Sequence, residues 1–295
     1  MNAVERLAYY SDGSLPQEAE YEVKETEPPA EWPQAGSIEL DKVVMSYRPG
    51  LPPVLKGLSA QFKHGEKVGI IGRTGAGKTS ITVALFRLAE LTSGRILVDG
   101  VDISTLGLKT LRSHVAIIPQ DPVLFSGTLR SNLDPFDEHD DAALYDALQR
   151  ASLIDSAEGH GRWTLDMAID EEGANLSVGE RSLVSLARAL VKDARIVVLD
   201  EATAAVDLGT DAKIQRTIRR EFGGKTLLCI AHRLRTIISW DRILVMNAGE
   251  IEDFDTPLNL FDREGLFRSM CDRSNITREE IVHARQEERF DGEET

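Results

Sequence analysis

The chain has 295 residues, 42% of them hydrophobic and 28% charged, and a formal net charge of -15. That length suits one large domain or a domain with a subdomain, and the acidic balance argues against nucleic acid as the main partner. The two cysteines, Cys229 and Cys271, are too few for a disulfide framework and read as buried free thiols, while the longest apolar runs fall far short of the ~20 residues a membrane-spanning helix requires.

In chain order, residues 1–36 read as a linker. Glu5 and Arg6 stand where a secretory signal would need apolar residues. Glu18, Glu20, Glu22, Glu25, Glu27 and Glu31, interspersed with Pro28, Pro29 and Pro33, predict an extended, solvated stretch. Residues 37–45 alternate apolar and polar side chains and 58–62 continue the pattern, so the domain is expected to open with a small antiparallel sheet. Residues 67–71 predict a buried strand running into a glycine-rich loop, and 79–88 a helix with Ile81, Leu85 and Leu88 on one face.

After the Asp99-Gly100 turn comes a strand at 115–118, and beyond it the pattern turns helical. Amphipathic segments at 141–151 and 179–191 predict a helical subdomain over about 121–192. Strands at 196–199, 226–230 and 243–246 return to the sheet, separated by helices near 210–221 and 234–240. Strands alternating with helices imply an α/β fold with a mostly parallel sheet covered on both faces. The domain is expected over 37–274, followed at 275–295 by a frayed helix and charged tail. Neither end is expected to carry chemistry.

The chemistry begins at Gly72-Arg73-Thr74-Gly75-Ala76-Gly77-Lys78-Thr79, which fits G-x-x-x-x-G-K-[ST] between a predicted strand and a predicted helix. This is the phosphate loop of a P-loop nucleotidase. Its glycines let backbone N–H groups and the positive end of the next helix, through Ser80, close around a polyphosphate. Lys78 would reach the β- and γ-phosphates and Thr79 would bind Mg²⁺. The apolar run 196–199 ends in Asp200 and Glu201, which suit a metal-side carboxylate and a general base for the attacking water. Two acids after a strand mean little alone; downstream of a phosphate loop they define a hydrolytic centre.

Leu176-Ser177-Val178-Gly179-Glu180, directly ahead of a helix, narrows the class. Here the chain resembles the ATP-binding cassette family, whose signature loop has the form LSGGQ; the P-loop fold with an antiparallel β subdomain and inserted helical subdomain follows from that resemblance. It implies that Ser177, Gly179 and Glu180 cap the γ-phosphate of an ATP held by a second cassette. It also implies that Gln120 senses the γ-phosphate beside the metal formed with Thr79 and Asp200, that Asp207 lies in a dimer-contact loop, that His232 is a switch histidine and that Tyr47 stacks on adenine. The segment from Ile118 to Pro135 resembles the second cassette of the multidrug-resistance-associated subfamily, and the Ser177-Val178-Gly179-Glu180 signature with the Asp253-Phe254-Asp255-Thr256-Pro257 region resembles fungal oligomycin-resistance-type exporters. The resemblance implies transmembrane domains as partners, a place on the cytosolic face of a membrane, and ATP hydrolysis coupled to efflux of drugs or organic anions. A regulatory cassette that gates a channel shares every motif. A soluble cassette acting on DNA or ribosomes fits the acidic charge poorly. Val178 and Glu180 depart from the signature, and the added carboxylate is expected to weaken binding at the partner's site or change its dynamics.

Overall fold

The computed structural model describes residues 3–11, 18–48, 50–154, 161–200, 206–231 and 233–293. A helix, α1 (Ala3–Ser11), comes first, and the body then opens with β1 (Ile38–Met45) and β2 (Leu55–Phe62), paired antiparallel across a bulge near Lys42. β3 (Lys67–Gly72) leaves that sheet and is followed by α2 (Lys78–Leu85), after which β4 (Ser93–Val98) and β5 (Val101–Asp102) return to complete four antiparallel strands in the order β2-β1-β4-β5.

Next come α3 (Leu108–His114) and β6 (Val115–Ile118), and then the helical insert: β7 (Gly127–Thr128), α4 (Leu129–Leu133), α5 (Asp141–Arg150), β8 (Ala168–Ile169) and α6 (Val178–Lys192). Beyond it run β9 (Ile196–Asp200), α7 (Leu208–Glu221), β10 (Thr226–Ile230), β11 (Arg242–Asn247) and β12 (Glu250–Asp255). Three helices close the chain, α8 (Pro257–Asp262), α9 (Leu266–Arg273) and α10 (Arg278–Glu293). The second sheet has the order β12-β11-β3-β10-β9-β6. Its five strands from β11 to β6 are parallel, and β12 is antiparallel at the edge.

Two-residue periodicity divides the interior into two cores. On β9, Ile196 and Val198 face the core shared with β1, β2 and β4, whereas Val197 and Leu199 face the one shared with α5, α6 and α7. On β10 and β11 the same division recurs, with Leu228, Ile230, Leu244 and Met246 on the first side and Leu227, Cys229, Ile243 and Val245 on the other. Burial on both faces explains why these strands read as unbroken apolar runs.

Four expectations need correction. The helix predicted over 79–88 ends at Leu85, because Arg87 takes a left-handed conformation (φ 49°) and turns its guanidinium inward to Ile103 O (2.9 Å) and Leu106 O (2.6 Å); Leu88 is left exposed. The helix predicted over 234–240 is one 3-10 turn at Leu234–Thr236. Ile237, Ile238 and Trp240 are all buried there, and Ile237 packs so closely on Gly69 that a Cβ at Gly69 would lie 2.6 Å from its Cδ1.

The acidic N-terminal stretch is not simply solvated. The amides of Leu108 and Lys109, at the start of α3, donate to Glu20 O (3.1 Å) and Tyr21 O (2.9 Å), while Lys109 and Arg112 pair with Glu22 (2.8 Å) and Glu18 (2.6 Å). The segment thus satisfies helix-terminal donors that would otherwise need side-chain caps. At the other end, Ile276 and Ile281 are buried in the core and Arg278 pairs with Asp262 at 2.8 Å, so the packed body continues past residue 274.

Candidate nucleotide site

β3 delivers the chain to the phosphate loop at the carboxyl edge of the parallel sheet, where α/β folds bind ligands. Two loop glycines have no substitute. Gly72 has φ 156° and a Cβ there would sit 2.4 Å from Met246 O; Gly77 has φ 97° and its Cβ would meet Val54 O at 3.1 Å. Between them Ala76 N donates to Arg73 O (3.0 Å), and Arg73, Thr74 and Gly75 stay exposed.

At the start of α2, Lys78 is only 7% exposed, and its Nζ donates to Gly72 O (3.0 Å) and Arg73 O (3.3 Å), which places the ammonium inside the loop's curve. No side chain caps α2 and no acid lies in its first turn, so the helix dipole and Lys78 present positive potential together. Thr79 is exposed beside them, while Ser80 is buried with its hydroxyl 2.9 Å from Tyr47 Oη. That bond holds Tyr47, half exposed, next to the first turn of α2.

Neighbouring strands bring the other candidates to the same edge. Asp200 is the last residue of β9 and pairs with Ile230, which in turn pairs with Ile70 of β3. β6 lies beside β9 with Ile118 opposite Leu199, and Gln120 is exposed at a bend two residues on. One carboxylate, Asp200, and one hydroxyl, Thr79, are hard oxygen donors. They fit Mg²⁺, which proteins commonly hold by one or two carboxylates together with substrate phosphates. Glu201 and His232 lie outside the described residues.

The signature residues form a second group. Ser177 is exposed and caps α6, accepting Glu180 N–H at 3.2 Å, while Glu180 accepts Ser177 N–H at 2.8 Å, a reciprocal capping box. Asp207 caps α7 by accepting Gly209 and Thr210 N–H, both at 3.0 Å; the Thr210 amide and hydroxyl hold its carboxyl below the usual range. Gly179 is buried, and a Cβ there would meet Thr210 Cγ2 at 2.9 Å. The N-termini of α6 and α7 therefore abut, and glycine at 179 is what permits it.

Sequence reasoning missed three residues. Gly249, in the turn joining β11 to β12, donates to Ala76 O (3.0 Å) and supports the phosphate loop from behind. Arg188 of α6 donates to Val123 O (2.7 Å) and to Asn132 O and Oδ1 (both 2.5 Å), so it braces the segment that follows Gln120. Arg162 pairs with Glu180, so the carboxylate of the signature segment has a cationic partner. Only the turn glycine left a local signal; the two arginines act across long sequence separations.

Residues 55–204 match the family model described as ABC transporter. The chain is 57% identical over 297 aligned positions to the ABC-type transporter cicA of Emericella nidulans, covering 96% of this chain and 21% of that protein. It is 54% identical over 293 positions to the oligomycin resistance ATP-dependent permease of Saccharomyces cerevisiae, covering 94% of this chain and 20% of the permease. Among solved structures, a bacterial Atm1-family ABC exporter with ATP bound superposes with a TM-score of 0.81 at 34% identity, over 93% of this chain and 47% of that one. The chain thus spans about a fifth of the length of the curated relatives it matches.

Proposed function

The chain belongs to the ABC transporter family, as an ATPase domain of that family, and we propose that it is one of two cassettes whose ATP-driven closure powers export of drugs or organic anions across a membrane. The observation that carries this reading is the convergence at one sheet edge of the glycine loop, the buried Lys78, the Tyr47–Ser80 contact and Asp200. Tyr47 would stack on adenine. Loop amides and Lys78 would hold the phosphates, and Thr79, Asp200 and Gln120 would hold Mg²⁺.

When bound, Mg²⁺ would neutralise charge developing on the phosphates. The chain's own residues would do the rest. Glu201 would take a proton from the attacking water, His232 would orient that water and contact the γ-phosphate, and Gln120 would report the phosphate's presence to the segment beyond β6. A second cassette would be needed for closure, because the exposed Ser177 lies on α6 and not on the phosphate loop of its own chain.

No helix among the described residues is long and apolar enough to cross a membrane, so the membrane part would be supplied by other segments. Val123 and Phe125 expose 56% and 70% of their surface just after Gln120, which supports a covering partner at that place. The domain would then sit at the cytosolic face of its membrane, with transmembrane domains above it. The experiment is titration of the purified chain with a fluorescent ATP analogue and Mg²⁺, repeated with Lys78→Ala. Removing a charged hydrogen-bonding partner should weaken binding by about 1.5–3 kcal/mol, ten- to a hundredfold. Equal affinity in the two proteins would remove the loop from its role, and absence of ATP-dependent uptake into vesicles bearing the whole transporter would remove the export reading.

A further inference from the structure

Glu180 puts a carboxylate in the first turn of α6, where an incoming triphosphate would need positive potential. A helix N-terminus carries roughly half a positive charge, so one bare carboxylate there more than cancels the attraction it offers an anion. In the structure both oxygens of that carboxylate are engaged. One accepts Ser177 N–H at 2.8 Å and the other accepts from the Arg162 guanidinium. Arg162 arrives from the segment before β8 and is itself located, with its guanidinium carbon 4.8 Å from the ring centroid of Trp163, whose indole belongs to the core.

An exposed ion pair of this kind usually contributes little to stability. Its place gives it another use. Arg162 keeps 53% of its side-chain surface exposed, and a guanidinium has five N–H donors, so pairing with Glu180 leaves donors facing outward. Ser177 Oγ accepts the Glu180 amide, which leaves its own hydroxyl proton to be donated. The cap is therefore a serine hydroxyl, helix amides and an Arg–Glu pair of zero net charge.

We propose that Arg162 is a positioning residue of the signature loop: by holding Glu180 against the Ser177 amide, it neutralises the cap that this cassette lends to the ATP bound by its partner. This rests on the reading that a second cassette's triphosphate docks at the start of α6. The pair lets a glutamate stand where the signature pattern has glutamine, and it ties the charge of the loop to a residue eighteen positions upstream.

The test uses the whole transporter in membranes, photolabelled with 8-azido-ATP and Mg²⁺ and then cleaved between its halves so that label on each cassette is read separately. Arg162→Gln should lower apparent affinity at the partner cassette at least fivefold and leave this cassette's labelling within twofold. Arg162→Lys should retain most of the partner's affinity, and Glu180→Gln alone should label the partner at least as well as wild type. The decisive variant is Arg162→Gln combined with Glu180→Gln, which should restore the partner's labelling because the uncompensated carboxylate is gone. An Arg162→Gln protein with unchanged partner labelling, or a defect that persists in the double variant, overturns the proposal. Failure of the wild type to label at either cassette would instead count against the nucleotide-driven reading beneath it.

Discussion

Gly249 offers the nucleotide no side chain, yet its backbone sits behind Ala76 with φ 90°, and a Cβ there would come within 2.5 Å of Val54 O. A left-handed backbone costs a non-glycine residue roughly 1–2 kcal/mol before any clash is counted. Gly249→Ala should therefore lower the melting temperature and weaken ATP binding together. Gly75→Ala, at φ 78° with nothing within 4 Å of the added carbon, should lower the melting temperature less. Calorimetry beside nucleotide titration compares the two, and an equal effect would show that strain alone, not the support behind the loop, matters. Cys271 makes a separate prediction. Burial pushes its thiol up to about 12, so at pH 8 it is almost wholly protonated. Iodoacetamide should label it slowly in the folded protein and quickly in urea, and rapid native labelling read by mass spectrometry would contradict the packing around α9.

At the scale of elements, α6 is the connecting piece. Its N-terminus carries Ser177, and Arg188 along its length holds Val123 and Asn132; Asn132 in turn accepts Phe125 N–H (2.9 Å) and donates to Phe125 O (2.8 Å). Burial lowers the affinity of Arg188 for its proton, yet the guanidinium is retained to satisfy these oxygens. One helix thus joins the signature loop to the exposed apolar segment after Gln120. Arg188→Met keeps the length of the side chain and removes the bonds. It should cost about 1.5–3 kcal/mol and raise amide hydrogen exchange at 123–128 while leaving exchange in β9 and β10 unchanged. Exchange that rises evenly across the sheet would mean that Arg188 supports the fold at large.

At the scale of the whole molecule, the proposed phosphate loop and the proposed signature cap are built on different elements, with Lys78 at the start of α2 and Ser177 at the start of α6. The proposed engine then requires two copies of the cassette architecture. Glu201→Gln should bind ATP and Mg²⁺ but not turn over, and in that state it should dimerise. Size-exclusion chromatography with light scattering should show an ATP-dependent dimer for Glu201→Gln and none when Lys78→Ala is added. A dimer that forms without nucleotide would separate association from the site.

The sequence by itself determined the α/β class, and it placed the glycine-rich loop between β3 and α2, the strand ending at Asp200 and the serine at the start of α6 where the structure has them. Each is a local pattern whose meaning lies within a dozen residues: a glycine where φ must be positive, an apolar run where both faces of a strand are covered, a serine where a helix begins. The family resemblance was legible for the same reason. Only the tertiary structure decided where local signals end, stopping α2 at Leu85 because Arg87 reaches carbonyls of Ile103 and Leu106. Only it showed that the acidic N-terminal stretch closes the start of α3, that Ile281 belongs to the core, and that Glu180 is answered by Arg162. These are bonds between residues far apart in the chain, and no periodicity or spacing encodes them.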